Sequence, residues 1–125
     1  MTSNSRKLLV VEDDPGLQTQ LKWCFEGYEV LIAGDRTAAL SELEKHRPPV
    51  ITLDLGLPPD SDGTSEGFQT LEDILTRSPN TKVIVVTGNN DRQNALRAVG
   101  VGAYDFFYKP IDAELLGFIV NRAYR

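Results

Sequence analysis

The segment VITLD at residues 50–54 places an aspartate directly after a short and almost entirely apolar run. Three further segments have the same plan, an apolar run that ends on polar side chains. They are LLVV at 8–11 before Glu12, Asp13 and Asp14, VIVV at 83–86 before Thr87, and FFY at 106–108 before Lys109. Short apolar runs between turn residues are typical of buried strands in a parallel sheet, where ligands bind outside the carboxyl ends. The sequence therefore predicts that these polar residues meet at one edge of a sheet.

Helical segments separate the predicted strands, which we expect at 7–12, 28–33, 50–53, 82–86 and 104–108. Asp14 and Asp35 are the predicted N-caps of the first two helices, and Gly27 is expected to end the first. The last helix is expected from about 112, and its predicted buried residues are Leu115, Leu116, Ile119 and Val120. Strands that alternate with helices imply right-handed βαβ units. The predicted fold class is therefore α/β, one domain with a doubly wound, five-stranded parallel sheet and helices on both faces.

The composition narrows the class of protein. A chain of 125 residues with 41% hydrophobic side chains can bury a single core. A net charge of −5 argues against a free-standing nucleic-acid-binding protein, which would carry a basic patch. No apolar stretch approaches the roughly 20 residues of a membrane span, and the polar N-terminal residues do not resemble a signal peptide. The lone Cys24 cannot form an internal disulfide, so we expect a cytoplasmic protein.

The polar residues at the strand ends have the chemistry of a phosphate site. Clustered carboxylates bind Mg²⁺, with Mn²⁺ as an alternative ion. A single aspartate such as Asp54 can attack a phosphoryl group and form an acyl phosphate. A lysine such as Lys109 would hold a phosphoryl oxygen as a point charge, and the Thr87 hydroxyl would complete the set. These residues predict phosphoryl transfer with a divalent cation.

Over essentially all of its length, the chain resembles the receiver domain of a two-component response regulator. Four motifs carry the resemblance. They are the acidic VVEDD at 10–14, the phosphoacceptor segment DLGLP at 54–58, the switch-hydroxyl segment VVTG at 85–88, and GAYDFFYKP at 102–110 with its lysine. The resemblance implies a flavodoxin-like (βα)5 receiver fold for residues 1–125. It also implies an output domain that would follow in a longer parent protein.

The resemblance also implies a role for each site residue. Asp54 would be the phosphoacceptor, Thr87 would contact the phosphoryl group, and Lys109 would form a salt bridge to it. Asp13 and Asp54 would bind Mg²⁺ directly, Glu12 would assist through water, and the backbone carbonyl of Gly56 would complete the protein ligands. Phe106 would be the aromatic switch residue, which turns inward when Thr87 moves toward the phosphate.

The implied function is a regulatory switch rather than an enzyme, although the domain would assist its own Mg²⁺-dependent phosphorylation and dephosphorylation. A sensor histidine kinase would phosphorylate Asp54. The fourth helix, fifth strand and fifth helix would then form a homodimer and control an output, which we expect to be transcription. Some motifs resemble receivers of sigma-54-dependent transcriptional activators. We expect no direct contact of this domain with nucleic acid or membrane.

Two features depart from the family pattern. The loop after Asp54 is longer than usual, with an apparent insertion of about four residues within 60–66. We interpret it as a solvated turn, and the alternative is a segment that influences kinase docking or phosphate lifetime. The second feature is Gly56, where the family often has a larger side chain. Glycine would leave water access to the acyl phosphate, so we expect no steric block to hydrolysis there.

Three other functions are alternatives to this switch. A flavodoxin-like cofactor binder needs a phosphate-binding loop after the first strand, where the acids at 12–14 would repel a phosphate without a metal. A phosphohydrolase with an aspartyl nucleophile normally has a second acid two residues later, where Gly56 stands. The remaining alternative is a stand-alone or phosphate-independent scaffold that binds a partner, although the chain retains every residue that the phosphoryl chemistry needs.

Overall fold

A computed structural model describes residues 6–88 and 91–125, and it contains five strands and five helices in strict alternation. The elements are β1 (Arg6–Val11), α1 (Pro15–Cys24), β2 (Tyr28–Ala33), α2 (Arg36–His46), β3 (Val50–Asp54), α3 (Ser65–Arg77), β4 (Lys82–Thr87), α4 (Arg92–Val101), β5 (Asp105–Tyr108) and α5 (Ala113–Ala123). All neighbouring strands are parallel, in the order β2-β1-β3-β4-β5. The predicted fold class is confirmed.

Two apolar layers cover the two faces of the sheet. Because side chains alternate along a strand, Leu8 and Val10 of β1 pack with α1 and α5, while Leu9 and Val11 pack with α2, α3 and α4. The central strand β3 is buried along its whole length. Burial on both faces explains why these strands are continuous apolar runs in the sequence.

The helix termini follow local sequence rules. The side chain of Asp14 accepts a hydrogen bond from the Gly16 amide at 2.9 Å, and Asp35 accepts one from the Ala38 amide at 2.8 Å. Both predicted N-caps are therefore confirmed. Helix α1 ends at Cys24, before Gly27, whose φ of +95° lies in the turn that leads to β2.

The prediction that Leu115 is buried was wrong, because this side chain is 53% exposed. The residues of α5 that face the sheet are Leu116, Val120 and Ala123, spaced at i, i+4 and i+7. Leu115 precedes this stripe by one position, so the helix turns it by about 100° away from the sheet. Ile119 is partly buried and packs against the same core as the stripe.

Within 6–88 and 91–125, the helices lack the length and apolar character that a membrane span requires.

Candidate functional site

The predicted polar residues lie together at the carboxyl edge of the sheet. Asp54 and Thr87 are the last residues of β3 and β4, Glu12 and Asp13 follow β1, and Lys109 follows β5. The parallel register of β1, β3, β4 and β5 brings all four strand ends to the same edge. They line one cavity of about 350 Å³. The structure therefore places the acids, the hydroxyl and the lysine in a single pocket.

Three carboxylates lie close together in this cavity. One oxygen each from Glu12, Asp13 and Asp54 lies within 4.8 Å of the other two. Glu12 and Asp54 are buried, with 2% and 7% exposure, and Asp13 is partly exposed. Carboxylates this close repel one another unless a cation or a proton compensates the charge. An all-oxygen cluster of this kind suits Mg²⁺, which binds through a few carboxylates and keeps several waters.

Local hydrogen bonds orient two of these carboxylates. The Asp14 amide donates to Glu12 Oε2 at 3.1 Å, and the Gly56 amide donates to Asp54 Oδ1 at 3.2 Å. Each bond spans two residues and arises directly from the turn that follows the strand. Gly56 itself lines the cavity, beside the acids.

Lys109 lies between two of the acids. Its Nζ is 3.3 Å from Asp54 Oδ2 and 3.4 Å from Glu12 Oε1. Burial, together with the negative charge of Asp54, raises the pKa of Glu12 to about 7. Burial by itself would lower the pKa of Lys109, but the charges of Asp54 and Glu12 outweigh it and raise that pKa. Lys109 is therefore protonated at neutral pH, and its ammonium group lies beside Asp54, the candidate phosphoacceptor.

Thr87 and Phe106 occupy neighbouring strands. Thr87 is 2% exposed, and its carbonyl oxygen accepts a hydrogen bond from the Lys109 amide at 2.8 Å. Phe106 is partly buried against the layer of α2, α3 and α4, with its ring centroid 5.3 Å from that of Tyr108. Phe107 packs on the opposite face of the sheet, as strand alternation predicted.

The loop between β3 and α3 also lines the cavity, in agreement with an insertion that stands beside the site. Residues 61–64 line it, as do Gly88 and Asp91. A β-carbon built on Gly56 would lie only 2.7 Å from the Ser61 carbonyl oxygen. The loop backbone therefore occupies the space that a side chain at position 56 would use. The expectation that hydrolysis is not sterically blocked at Gly56 stays a prediction. In the sequence, the features that indicate this packing of the loop against the acceptor segment are the length of the loop and the glycine at position 56.

The described geometry agrees with the similarity of the chain to known proteins. The family described as Response regulator receiver domain matches residues 8–121. The chain is 32% identical to the nitrogen assimilation regulatory protein NtrX of Azorhizobium caulinodans over 93% of its own length. It is 31% identical to Protein CcdB of Bacillus subtilis, with 93% of this chain and 95% of that protein covered. The crystal structure of the receiver domain of NtrX from Brucella abortus superposes with a TM-score of 0.85 at 29% identity, and 93% of this chain and 96% of that one are covered.

Several relatives are much longer than this chain. The chain covers 25% of NtrX of Azorhizobium caulinodans and 26% of the regulatory protein AtoC of Escherichia coli. The similarity to such proteins is therefore confined to one domain of each.

Proposed function

Because this chain belongs to the response regulator receiver domain family, we propose that it is a phosphorylation-dependent signalling switch whose acceptor is Asp54. A sensor histidine kinase would supply the phosphoryl group. The observation that carries the proposal is that the Asp54 carboxylate shares one cavity with two further carboxylates, Glu12 and Asp13, and lies beside Lys109. A carboxylate oxygen of Asp54 attacks phosphorus, the bond from phosphorus to the donor breaks, and an acyl phosphate forms.

Mg²⁺ is the metal we propose for this site. Glu12, Asp13 and Asp54 would hold it, with the Gly56 carbonyl as a further ligand, and Mn²⁺ would fit the same donors. The bound ion would neutralise negative charge on the phosphoryl oxygens. The crowded carboxylates support this proposal, because their mutual repulsion in a buried site favours cation binding.

The chain's own residues then respond to the new charge. A phosphoryl group adds about −1.5 to −2 charges at pH 7 if it behaves like other protein phosphates. Lys109 already faces Asp54 and would pair with a phosphoryl oxygen, while the Thr87 hydroxyl would donate to another. Phe106 would turn inward as Thr87 moves. Phosphorylation would favour the active conformation, because the phosphoryl group makes better contacts in that conformation than in the inactive one.

The proposed output surface consists of α4, β5 and α5. It exposes the apolar side chains of Leu96, Val99, Leu115 and Phe118. Its polar residues include both signs of charge, which permits reciprocal pairing across a twofold axis. These residues are Asp91, Arg92, Arg97, Asp105, Asp112, Glu114, Asn121 and Arg122. We propose that phosphorylation promotes a homodimer through this surface.

We also propose a cellular location, a regulatory role and an output for this domain. The domain would work in the cytoplasm, as a regulatory phosphoacceptor that promotes its own phosphorylation and dephosphorylation and not as an enzyme acting on a separate substrate. An output domain C-terminal to residue 125 would control transcription, in the manner of sigma-54-dependent activators. The receiver itself would not contact nucleic acid or membrane. The names of NtrX and AtoC, which are regulatory proteins, support a regulatory output.

Incubation with acetyl phosphate and Mg²⁺, followed by intact-mass measurement, tests the proposal. We expect a gain of one phosphoryl mass that requires Mg²⁺ and is lost in Asp54→Asn. If the mass does not change although Mg²⁺ binds, the domain is a phosphate-independent scaffold. If neither the mass changes nor Mg²⁺ binds, the acidic cluster has been misinterpreted.

A further inference from the structure

We propose that the loop at 59–64 is an anchored wall of the acceptor site, and that it limits the access of water and small phosphodonors to Asp54. This inference rests on the proposed function, because it concerns the lifetime of the phosphoryl group on Asp54. The loop is this chain's departure from the family pattern, and its sequence alone favoured a solvated turn.

The first observation is the contact between the loop and the acceptor segment. The Ser61 carbonyl oxygen lies 2.7 Å from the position of a β-carbon on Gly56, and the Gly63 carbonyl oxygen lies 3.8 Å from it. Gly56 is two residues from Asp54, and its amide is hydrogen-bonded to the Asp54 carboxylate. Loop backbone thus takes the place of a side chain directly beside the acceptor.

The second observation is that the loop is fastened at both ends. At the start, the Asp60 amide donates to the carbonyl of the fully buried Leu57 at 2.9 Å. At the end, Ser65 Oγ, in the first residue of α3, donates to Asp60 Oδ2 at 2.6 Å. Between them, the Gly63 amide donates to the Asp60 carbonyl at 3.0 Å. Asp60 is therefore the anchor on which the loop closes.

Helix α3, which carries one end of the loop, is itself held to α2. The Arg36 guanidinium lies 3.0 Å from a Glu66 carboxylate oxygen and 3.1 Å from one of Asp73. Gly67 allows the first turn of α3 to approach the Leu55 backbone closely, because a β-carbon there would lie 2.3 Å from the Leu55 Cα. The C-terminal end of the loop is therefore attached to a helix that ion pairs and close backbone packing hold in place.

Access matters because the acyl phosphate is lost by hydrolysis. The oxygen of a water molecule bonds to phosphorus, and the bond between phosphorus and the Asp54 carboxylate oxygen breaks. The products are the free carboxylate and dihydrogen phosphate, which retains both hydrogens of the water. A backbone that fills one side of the cavity removes directions from which water can approach. Loosening the wall should therefore accelerate both hydrolysis and phosphorylation by small donors.

The experiment removes the anchor without touching the acceptor site. Ser65→Ala and Asp60→Ala both delete the bond between the two side chains, and Ser41→Ala on α2 removes an exposed hydroxyl as the matched control. After phosphorylation with acetyl phosphate and Mg²⁺, the loss of phosphoryl mass gives the hydrolysis rate. We expect an increase of about fivefold in each anchor variant, the equivalent of one ordinary hydrogen bond. The double variant should exceed Asp60→Ala only slightly, because both changes remove the same bond.

Hydrogen exchange at the Gly63 amide reports the loop directly. Faster exchange with unchanged hydrolysis would show that the loosened wall does not control access, and unchanged exchange would show that Asp60 does not anchor it. Either result overturns the inference while leaving the proposed function intact, provided that the wild-type protein is phosphorylated. Failure of the wild-type protein to accept a phosphoryl group on Asp54 would overturn both.

Discussion

Glu12 should make the stability of the metal-free domain decrease as pH rises. Burial and the charge of Asp54 raise its pKa from 4.5 to about 7 in the folded protein. The native state therefore binds more protons than the unfolded state between these values. The stabilising contribution of this group is present below about pH 4.5 and is lost as pH rises through about 7. A pKa change of this size corresponds to at most about 3 kcal/mol.

Glu12→Gln should remove this dependence, since the variant side chain cannot ionise and its amide oxygen can still accept from the Asp14 amide. The free energy of unfolding of the variant, minus that of the wild type, should increase between about pH 4.5 and pH 8 by up to about 3 kcal/mol. Equilibrium urea unfolding with EDTA at several pH values measures this difference. Titrations of groups outside the cavity largely cancel in the subtraction.

Glu44→Gln is the matched control, because it makes the same chemical change at an exposed position of α2. Its difference from the wild type should stay nearly constant with pH. The reasoning would be refuted if the difference for Glu12→Gln were equally flat, or if it decreased with rising pH. Added Mg²⁺ should raise the stability of the wild type at about pH 8, because a ligand that binds only the native state stabilises it.

Two further predictions concern packing and assembly. Gly67→Ala should destabilise the domain by about 1–3 kcal/mol or more through collision with the Leu55 backbone, whereas Gly117→Ala, with open space around its β-carbon inside α5, should stabilise it by about 0.5–1 kcal/mol. Thermal unfolding measures both, and equal effects would contradict the argument. Phe118→Ser should weaken the phosphorylated dimer at least tenfold, the equivalent of about 1.4 kcal/mol, while Trp23→Ser, at a still more exposed aromatic residue of α1, should not. Sedimentation of the phosphorylated proteins tests this, and equal weakening would exclude the proposed face.

The strands and the shared edge could be predicted from the sequence because their signals are local. An apolar run that is buried on both faces, such as that of β3, differs plainly from the amphipathic helices around it. The caps at Asp14 and Asp35 are also local, since each carboxylate binds an amide two or three residues away. Parallel connectivity then brings the strand ends together without further information.

The wrong prediction, and the part of the loop arrangement that the sequence does not specify, concern packing that depends on neighbouring segments. An apolar residue next to a buried helical stripe, such as Leu115, has no mark in the sequence that shows whether a neighbour covers it. Likewise, the backbone of the loop after β3 occupies the space in which a β-carbon on Gly56 would lie, and backbone proximity of this kind does not depend on a recognisable side chain. Composition predicted a solvated turn because Ser61 and Asp62 are polar and indeed exposed, yet the same residues line the cavity.

The hydrogen bond from the Lys109 amide to the Thr87 carbonyl has a mechanical consequence. It links, through the backbone, the ends of β4 and β5, where Thr87 and Lys109 would contact a phosphoryl group. Movement of either strand end toward a phosphoryl group would pull on the other through this bond, which would favour a joint movement of the hydroxyl and the ammonium group. In the proposed switch, states in which only one of the two residues contacts the phosphoryl group would then be less populated.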